Sequence, residues 1–136
     1  MKEYQITTDD ALREQVGRDF PGYSIIFDES LTLPAAYLEQ IRQGQKTTTI
    51  KFKDGYIRLP KTELPAIEKE TGRQIGTVSY SKVAIKANCE LTEQDAMGDG
   101  FATLGDFNVA LEDRYGKVSP EALLSVHRFD RFKSLQ

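Results

Sequence analysis

Two segments of this 136-residue sequence hold side chains whose types and spacing suit catalysis. One is Gly44-Gln45-Lys46-Thr47-Thr48-Thr49-Ile50. The other is Glu90-Leu91-Thr92-Glu93-Gln94-Asp95-Ala96-Met97-Gly98-Asp99-Gly100-Phe101. A lysine beside a threonine hydroxyl can act as its base once partial desolvation has lowered the lysine pKa. A nearby carboxylate can orient such a pair or handle a proton on a leaving amine. The same residues also have plain structural uses. A lysine just after a helix favours the C-terminal dipole, threonines are common in strands, and Asp95 and Asp99 can simply cap or solvate a helix end. Residue types alone leave both readings open.

Geometry adds a condition. Side chains alternate along a regular strand, so Lys46 and Thr49 would point to opposite faces. They converge only if Lys46 still lies in the turn after Gly44, or if a bulge intervenes. A shared site therefore requires an irregular strand start.

Other chemistries find no support. A single histidine and a single cysteine are too few for a zinc site of the usual kind. Neither GxGxxG nor GxxxxGK[ST] is present. His127, in an expected terminal strand, reads as structural, and Cys89, on the apolar side of an alternating strand, reads as a buried small hydrophobe. No metal or cofactor is expected.

Composition frames the elements that must position these residues. Hydrophobic residues make up 39% and charged residues 29%, an ordinary globular balance. No run of about 18 apolar residues is available for a membrane span, and the N-terminus lacks the apolar core of a signal peptide. The lone cysteine suits a reducing compartment, so a cytoplasmic location is expected; the oligomeric state stays open, with a monomer favoured. The net charge of −3 argues against non-specific coating of nucleic acid. The charge is uneven, however. Arg42, Lys46, Lys51, Lys53, Arg58 and Lys61 face only Asp54 within residues 42–61, whereas residues 90–113 hold seven acids and no base. These are either two solvated faces or a local basic groove flanked by carboxylates.

Residues 8–18 read as a helix capped by Thr8 or Asp9, with Leu12 and Val16 on one face. Ser24–Phe27 reads as a short strand. Pro34 begins a second helix whose Tyr37, Leu38 and Ile41 share a face, and Gly44 can close it. Lys46–Phe52 is a strand candidate. Asp54-Gly55 marks a tight turn, with Tyr56–Leu59 returning as the hairpin partner. Residues 63–71 read as a short helix closed by Gly72. Residues 74–89 alternate with period two and suggest two half-buried strands. Thr92 with Asp95 resembles a capping box. Leu104, Phe107, Leu111 and Tyr115 mark an amphipathic helix ending at Gly116, and Val126–Phe132 is a last strand. The predicted class is α+β, a mixed barrel interrupted by helices rather than a doubly wound sheet.

The run Leu38-Glu39-Gln40-Ile41-Arg42-Gln43-Gly44-Gln45-Lys46-Thr47-Thr48-Thr49-Ile50 resembles the ASCH domain signature, a helix followed by Gly-x-Lys-x-x-Thr-Ile. Gly72-Arg73-Gln74-Ile75-Gly76-Thr77-Val78, Glu90-Leu91-Thr92-Glu93 and Asp95-Ala96…Asp99-Gly100-Phe101 follow in the family's order. The likeness covers residues 33–132. It places residues 1–32 in an N-terminal extension of helix and short strand packed on a domain of residues 33–136. The resemblance implies a PUA-like mixed β-barrel surrounded by short helices, with a cleft that binds RNA or a nucleoside or nucleotide. Some small bacterial relatives hydrolyse the amide of N4-acetylcytidine, and another is reported as a ribonuclease. In the amidohydrolases a lysine, a threonine and a glutamate carry catalysis, which by motif position correspond to Lys46, Thr49 and Asp99. The aspartate is a departure. It is one methylene shorter than glutamate, about 1.5 Å, and misplacement on that scale can cost about a hundredfold in rate. Either the backbone compensates, or Glu93 or Asp95 serves instead, or this member hydrolyses no amide.

Two further expectations follow. If RNA is the ligand, Lys51, Lys53 and Arg58 contact phosphates and Tyr56 stacks on a base. A different reading is a protein-interaction module that uses the acidic helix after Asp99.

Overall fold

The computed structural model describes residues 1–135. The chain runs β1 (Lys2–Gln5), α1 (Asp9–Asp19), β2 (Ser24–Phe27), β3 (Leu31–Leu33), α2 (Ala35–Arg42), β4 (Thr48–Lys51), β5 (Tyr56–Leu59) and β6 (Glu63–Glu68). It continues through β7 (Gln74–Ala87), a 3-10 turn (Asn88–Glu90), α3 (Glu93–Gly98), α4 (Leu104–Tyr115) and β8 (Leu123–Ser134). The mixed α+β class is as expected. The main sheet has the order β3-β6-β7-β8-β4, and β1 pairs along β7. A parallel pair, β2-β5, stands beside it. No helix among the described residues is long and apolar enough to cross a membrane.

Strand β7 is the spine. Its 14 residues meet β6 along the first half, β1 along Lys82–Ile85, and β8 throughout. The register with β8 shifts on both sides of Tyr80. Such bulges bend a strand and increase its twist, so the sheet curls into half a barrel and β7 changes partner at the bend. Period two suggested two strands here; the structure has one, kinked in the middle.

Curling lets both faces of β7 be buried. Val83 and Ile85 pack with Tyr4, Leu12, Val16, Ile57 and Leu59. Ala84, pointing the other way, joins Leu91, Phe107, Leu111 and Leu124 under α3 and α4. Val78 and Tyr80 pack with Leu31, Leu38, Ile41 and Leu64 beneath α2. Residues 1–32 are thus woven into the fold: β1 is a strand of the main sheet, α1 supplies Leu12 and Val16 to a core, and β3 pairs in parallel with β6.

Three local expectations are corrected. Residues 63–68 are a strand, not a helix. Leu64 and Ala66 are buried at every second position, and β3 covers only Ala66–Glu68, so Pro65 needs no N–H on that edge. Tyr56–Leu59 is not the ladder partner of residues 46–52. The Asp54-Gly55 turn forms, with Gly55 at φ 79°, but a single bridge links Lys53 to Tyr56 before the strands part. Strand β5 then pairs with β2, and β4 with β8. Cys89 is exposed in the 3-10 turn rather than buried, because β7 ends at Ala87, whose N–H is taken by the Glu90 carboxylate at 2.8 Å.

Because Leu12 is 1% exposed among seven mutually packed side chains, Leu12→Ala should destabilise the whole domain by about 2–5 kcal/mol. Urea unfolding would show one cooperative transition at a lower midpoint. A two-step curve with an unshifted major transition would mean that residues 1–32 are not part of the cooperative unit.

Candidate active site

Helix α2 buries Leu38 and Ile41 and ends beyond Arg42, where Gly44 takes φ 78°. The chain then hooks back, the Gln40 carbonyl accepting the N–H groups of both Gln45 (2.8 Å) and Lys46 (3.1 Å). Strand β4 begins only at Thr48, so Lys46 lies in the turn, outside the strand's alternation. The condition for a shared site is met. Lys46, Thr49 and Asp99 all line one cavity of about 490 Å³. Lys51, two residues after Thr49 and so on the same strand face, lines it as well.

Asp99 is delivered by the end of α3. That helix starts with a reciprocal capping box between Thr92 and Asp95 and ends at Gly98, which lies against the start of β4. The Gly98 carbonyl accepts the Thr47 N–H at 3.0 Å. A Cβ on Gly98 would sit 2.7 Å from the Thr48 hydroxyl oxygen and 3.1 Å from that of Thr47, so only glycine permits this approach. Asp99 follows directly. Lys46 Nζ donates to its carboxylate at 2.5 Å and to its main-chain carbonyl at 2.7 Å. Lys46 thus reaches both the side chain and the main chain of Asp99. The other two candidate carboxylates have structural partners: Asp95 takes Lys86 Nζ at 2.7 Å in addition to its cap, and Glu93 caps α4 through the Leu104 N–H at 3.1 Å.

Lys46 is 4% exposed. Burial pushes its ammonium below the ordinary lysine range, against the pull of Asp99. Burial pushes the Asp99 carboxyl up, against Lys46 and the Ile50 N–H. Both shifts favour the uncharged pair. Lys51 is brought down to about 8, first by burial and then by the Arg58 charge. Arg58 pairs with buried Asp28, its Nε at 2.9 Å and Nη2 at 2.8 Å from one carboxylate oxygen. Tyr37 from α2 and Arg114 and Tyr115 from α4 complete the rim. A smaller apolar recess of about 120 Å³ adjoins the cavity at Ile50, Asp99 and Phe101, walled by Phe52, Phe107 and Leu111.

Of the expected ligand contacts, Lys51 and Arg58 reach the cavity, whereas Lys53 and Tyr56 do not. They sit exposed at the β4–β5 turn, the Lys53 ammonium 4.5 Å above the Tyr56 ring. Sequence reasoning missed Asp28, Arg114 and the glycine at 98. Gly98 directly before an acid at a helix end was the one available signal.

His127 lies opposite Thr49 across β4 and β8 and is wholly buried. Its Nε2 donates to the Arg58 carbonyl at 2.9 Å, and Nδ1 has no partner among the described residues. Burial lowers its pKa to about 3.

The family model for the ASCH domain matches residues 23–133. The chain belongs to the ASCH domain family. Solved structures of similar fold include the ASCH domain from Lactobacillus crispatus JV V101 (14% identity, 89% of each chain covered, TM-score 0.56). The ASCH protein from Zymomonas mobilis is similar over 78% of this chain and 72% of that one (13% identity, TM-score 0.53). Protein EF3133 from Enterococcus faecalis V583 is similar over 95% of each chain (14% identity, TM-score 0.52). At these identities the likeness is one of fold. Comparison with curated proteins found no match.

Two outcomes follow for this ASCH domain. Removing one member of the buried pair, as in Lys46→Met or Asp99→Leu, should cost about 3–5 kcal/mol, and the double variant should recover most of it. Chemical denaturation of all four proteins measures the cycle, and additive losses would mean that the two groups do not interact. For His127, the folded pKa lies below the unfolded value of about 6.5. The unfolded chain therefore binds a proton first, and stability should fall as pH drops from about 6.5 toward 3, by about 1.4 kcal/mol per unit. His127→Gln should lack that component. The imidazole NMR signal of the sole histidine should stay unshifted between pH 5 and 8, and an ordinary titration would contradict this account.

Proposed function

We propose that this ASCH domain is a hydrolase that removes an acyl group from a modified nucleoside of the N4-acetylcytidine kind. The observation that carries the reading is the meeting of Lys46, Thr49 and Asp99 in one cavity, with the lysine and aspartate desolvated as a pair. The cavity's volume of about 490 Å³ lies within the usual range for small-ligand sites. The basic stretch of residues 42–61 lays out no continuous phosphate track. Arg42 pairs with Glu39, Lys61 with Glu29 and Arg58 with Asp28, while Lys53 lies on Tyr56. This favours a nucleoside-sized ligand over an extended RNA strand.

The chemistry starts from the uncharged form of the pair, which the lowered lysine and the raised carboxyl bring within reach. Uncharged Lys46 takes the hydroxyl proton of Thr49 as that oxygen bonds to the acyl carbon. The protonated Asp99 gives its proton to the amide nitrogen as the carbon–nitrogen bond breaks, which releases the free base amine and leaves an acyl ester on Thr49. Water then attacks the ester, losing its proton to the Asp99 carboxylate, while the Lys46 ammonium returns a proton to the departing Thr49 oxygen. The net reaction is amide plus water to amine plus carboxylic acid, and both side chains end as they began. The apolar recess beside Asp99 accommodates the acyl substituent, and Tyr37 at the rim offers a face for the base.

The test is to incubate the purified protein with N4-acetylcytidine and related acylated nucleosides and follow the deacylated product by liquid chromatography and mass spectrometry. Lys46→Ala should lower turnover by at least about a hundredfold, the usual contribution of a general base. Thr49→Ser should retain measurable activity where Thr49→Val does not. If no acylated nucleoside is hydrolysed, the hydrolase reading fails, and binding of labelled RNA with its salt dependence becomes the next measurement.

A further inference from the structure

We propose that the cavity takes its nucleoside as a phosphate ester, the anion being held by Lys51 and Arg114. This rests on the nucleoside reading above and extends it from nucleoside to mononucleotide.

The cavity wall carries more positive charge than its own carboxylates match. Among the described residues four cations line it, Lys46, Lys51, Arg58 and Arg114, together with three carboxylates, Asp28, Glu29 and Asp99. Lys46 is matched by Asp99 and Arg58 by Asp28. Glu29, 86% exposed at the side chain, turns outward to Lys61 at 3.3 Å. Lys51 and Arg114 are left with no ion pair among the described residues. They approach from different elements, β4 and α4. Arg114 rests over the Tyr115 ring, 5.4 Å from its centroid, at the cavity's rim.

Lys51 is the more telling of the two. It sits within electrostatic range of Arg58 and Lys46 as well as of Asp28 and Asp99, so the fold holds a third ammonium or guanidinium beside two that already have partners. An unmatched cation in a partly desolvated wall is costly unless a ligand neutralises it. This happens in a chain whose net charge is −3, so overall charge does not account for it. A phosphate bears up to two negative charges and several strong acceptors, which suits one lysine and one arginine. A neutral nucleoside leaves both unmatched.

The experiment is isothermal titration of the full chain with cytidine, with cytidine 5′-monophosphate and with inorganic phosphate, repeated for Lys51→Met and Arg114→Met after circular dichroism has shown that each variant folds. The monophosphate should bind at least about tenfold more tightly than cytidine, the effect expected of charge-assisted hydrogen bonds. That ratio should fall below about threefold in Lys51→Met, should shrink in Arg114→Met, and should decline as pH rises through about 8, where Lys51 loses its proton. Equal affinity for the two ligands, or a ratio that survives Lys51→Met, overturns the proposal while leaving the nucleoside reading in place. If neither cytidine compound binds, the nucleoside reading fails. The anion site is then judged on inorganic phosphate alone: millimolar binding that disappears in Lys51→Met sustains it, and no binding overturns it.

Discussion

Two ions can be taken out of water together only if attraction and hydrogen bonding repay a desolvation cost of several kcal/mol for each. Lys46 and Asp99 meet that requirement by a doubled contact, the ammonium reaching both the carboxylate and the main-chain carbonyl of the same residue. Such a contact tolerates little slack. It requires Lys46 to leave the helix before the strand begins and Asp99 to be brought against the strand start without an intervening side chain. The hooked turn at Gln40 answers the first demand. Gly98, with no Cβ to strike Thr48, answers the second. Around this pair the curl of the sheet becomes intelligible, because a flat sheet would leave the β4 edge far from any helix that follows β7.

The curl originates in β7. A strand of 14 residues with register shifts around Tyr80 cannot remain flat, and the bend that results hands it from β6 to β1. It also lets three consecutive residues, Val83, Ala84 and Ile85, all be buried, since helix α1 covers one face and helices α3 and α4 the other. The site is therefore fastened on two sides to the same strand: Lys86, near its end, pairs with Asp95 of α3 at 2.7 Å, and β8 carries β4 in antiparallel register. His127 links these layers. Its neutral ring donates to the Arg58 carbonyl and stands edge-on to Tyr80 at 6.0 Å, so one buried imidazole ties β5, β7 and β8 together behind Thr49.

What could be read from the sequence was what local chemistry decides. The Thr8 cap, the Thr92–Asp95 box, the Gly44 stop and the turn position of Lys46 each depend on neighbours within a few residues, and each is found in the structure. What escaped was settled at long range. Residues 63–68 carry charges at both ends and a proline, which hid a period-two strand whose pairing is fixed by β7. The Asp54-Gly55 turn was recognisable, but the partner of β5 was not, because the curl offers β2 a better match than β4. The outward placement of Lys53 and Tyr56 follows from that same parting of strands. Asp28 and Arg114 lie far from the Lys46 motif in sequence, and nothing in their own surroundings distinguished them.

The distribution of costs shows where the fold serves something other than its own stability. A buried ion pair contributes no more than well-packed apolar side chains of similar volume would. A glycine closing α3 places a poor helix former there, and Lys51, a cation without an ion pair among the described residues, adds a charge that its burial disfavours. None of these is forced by the sheet, whose three apolar clusters are packed elsewhere. Local concessions that converge on one cavity, in a chain otherwise consistent from caps to core, are the pattern expected of a functional site.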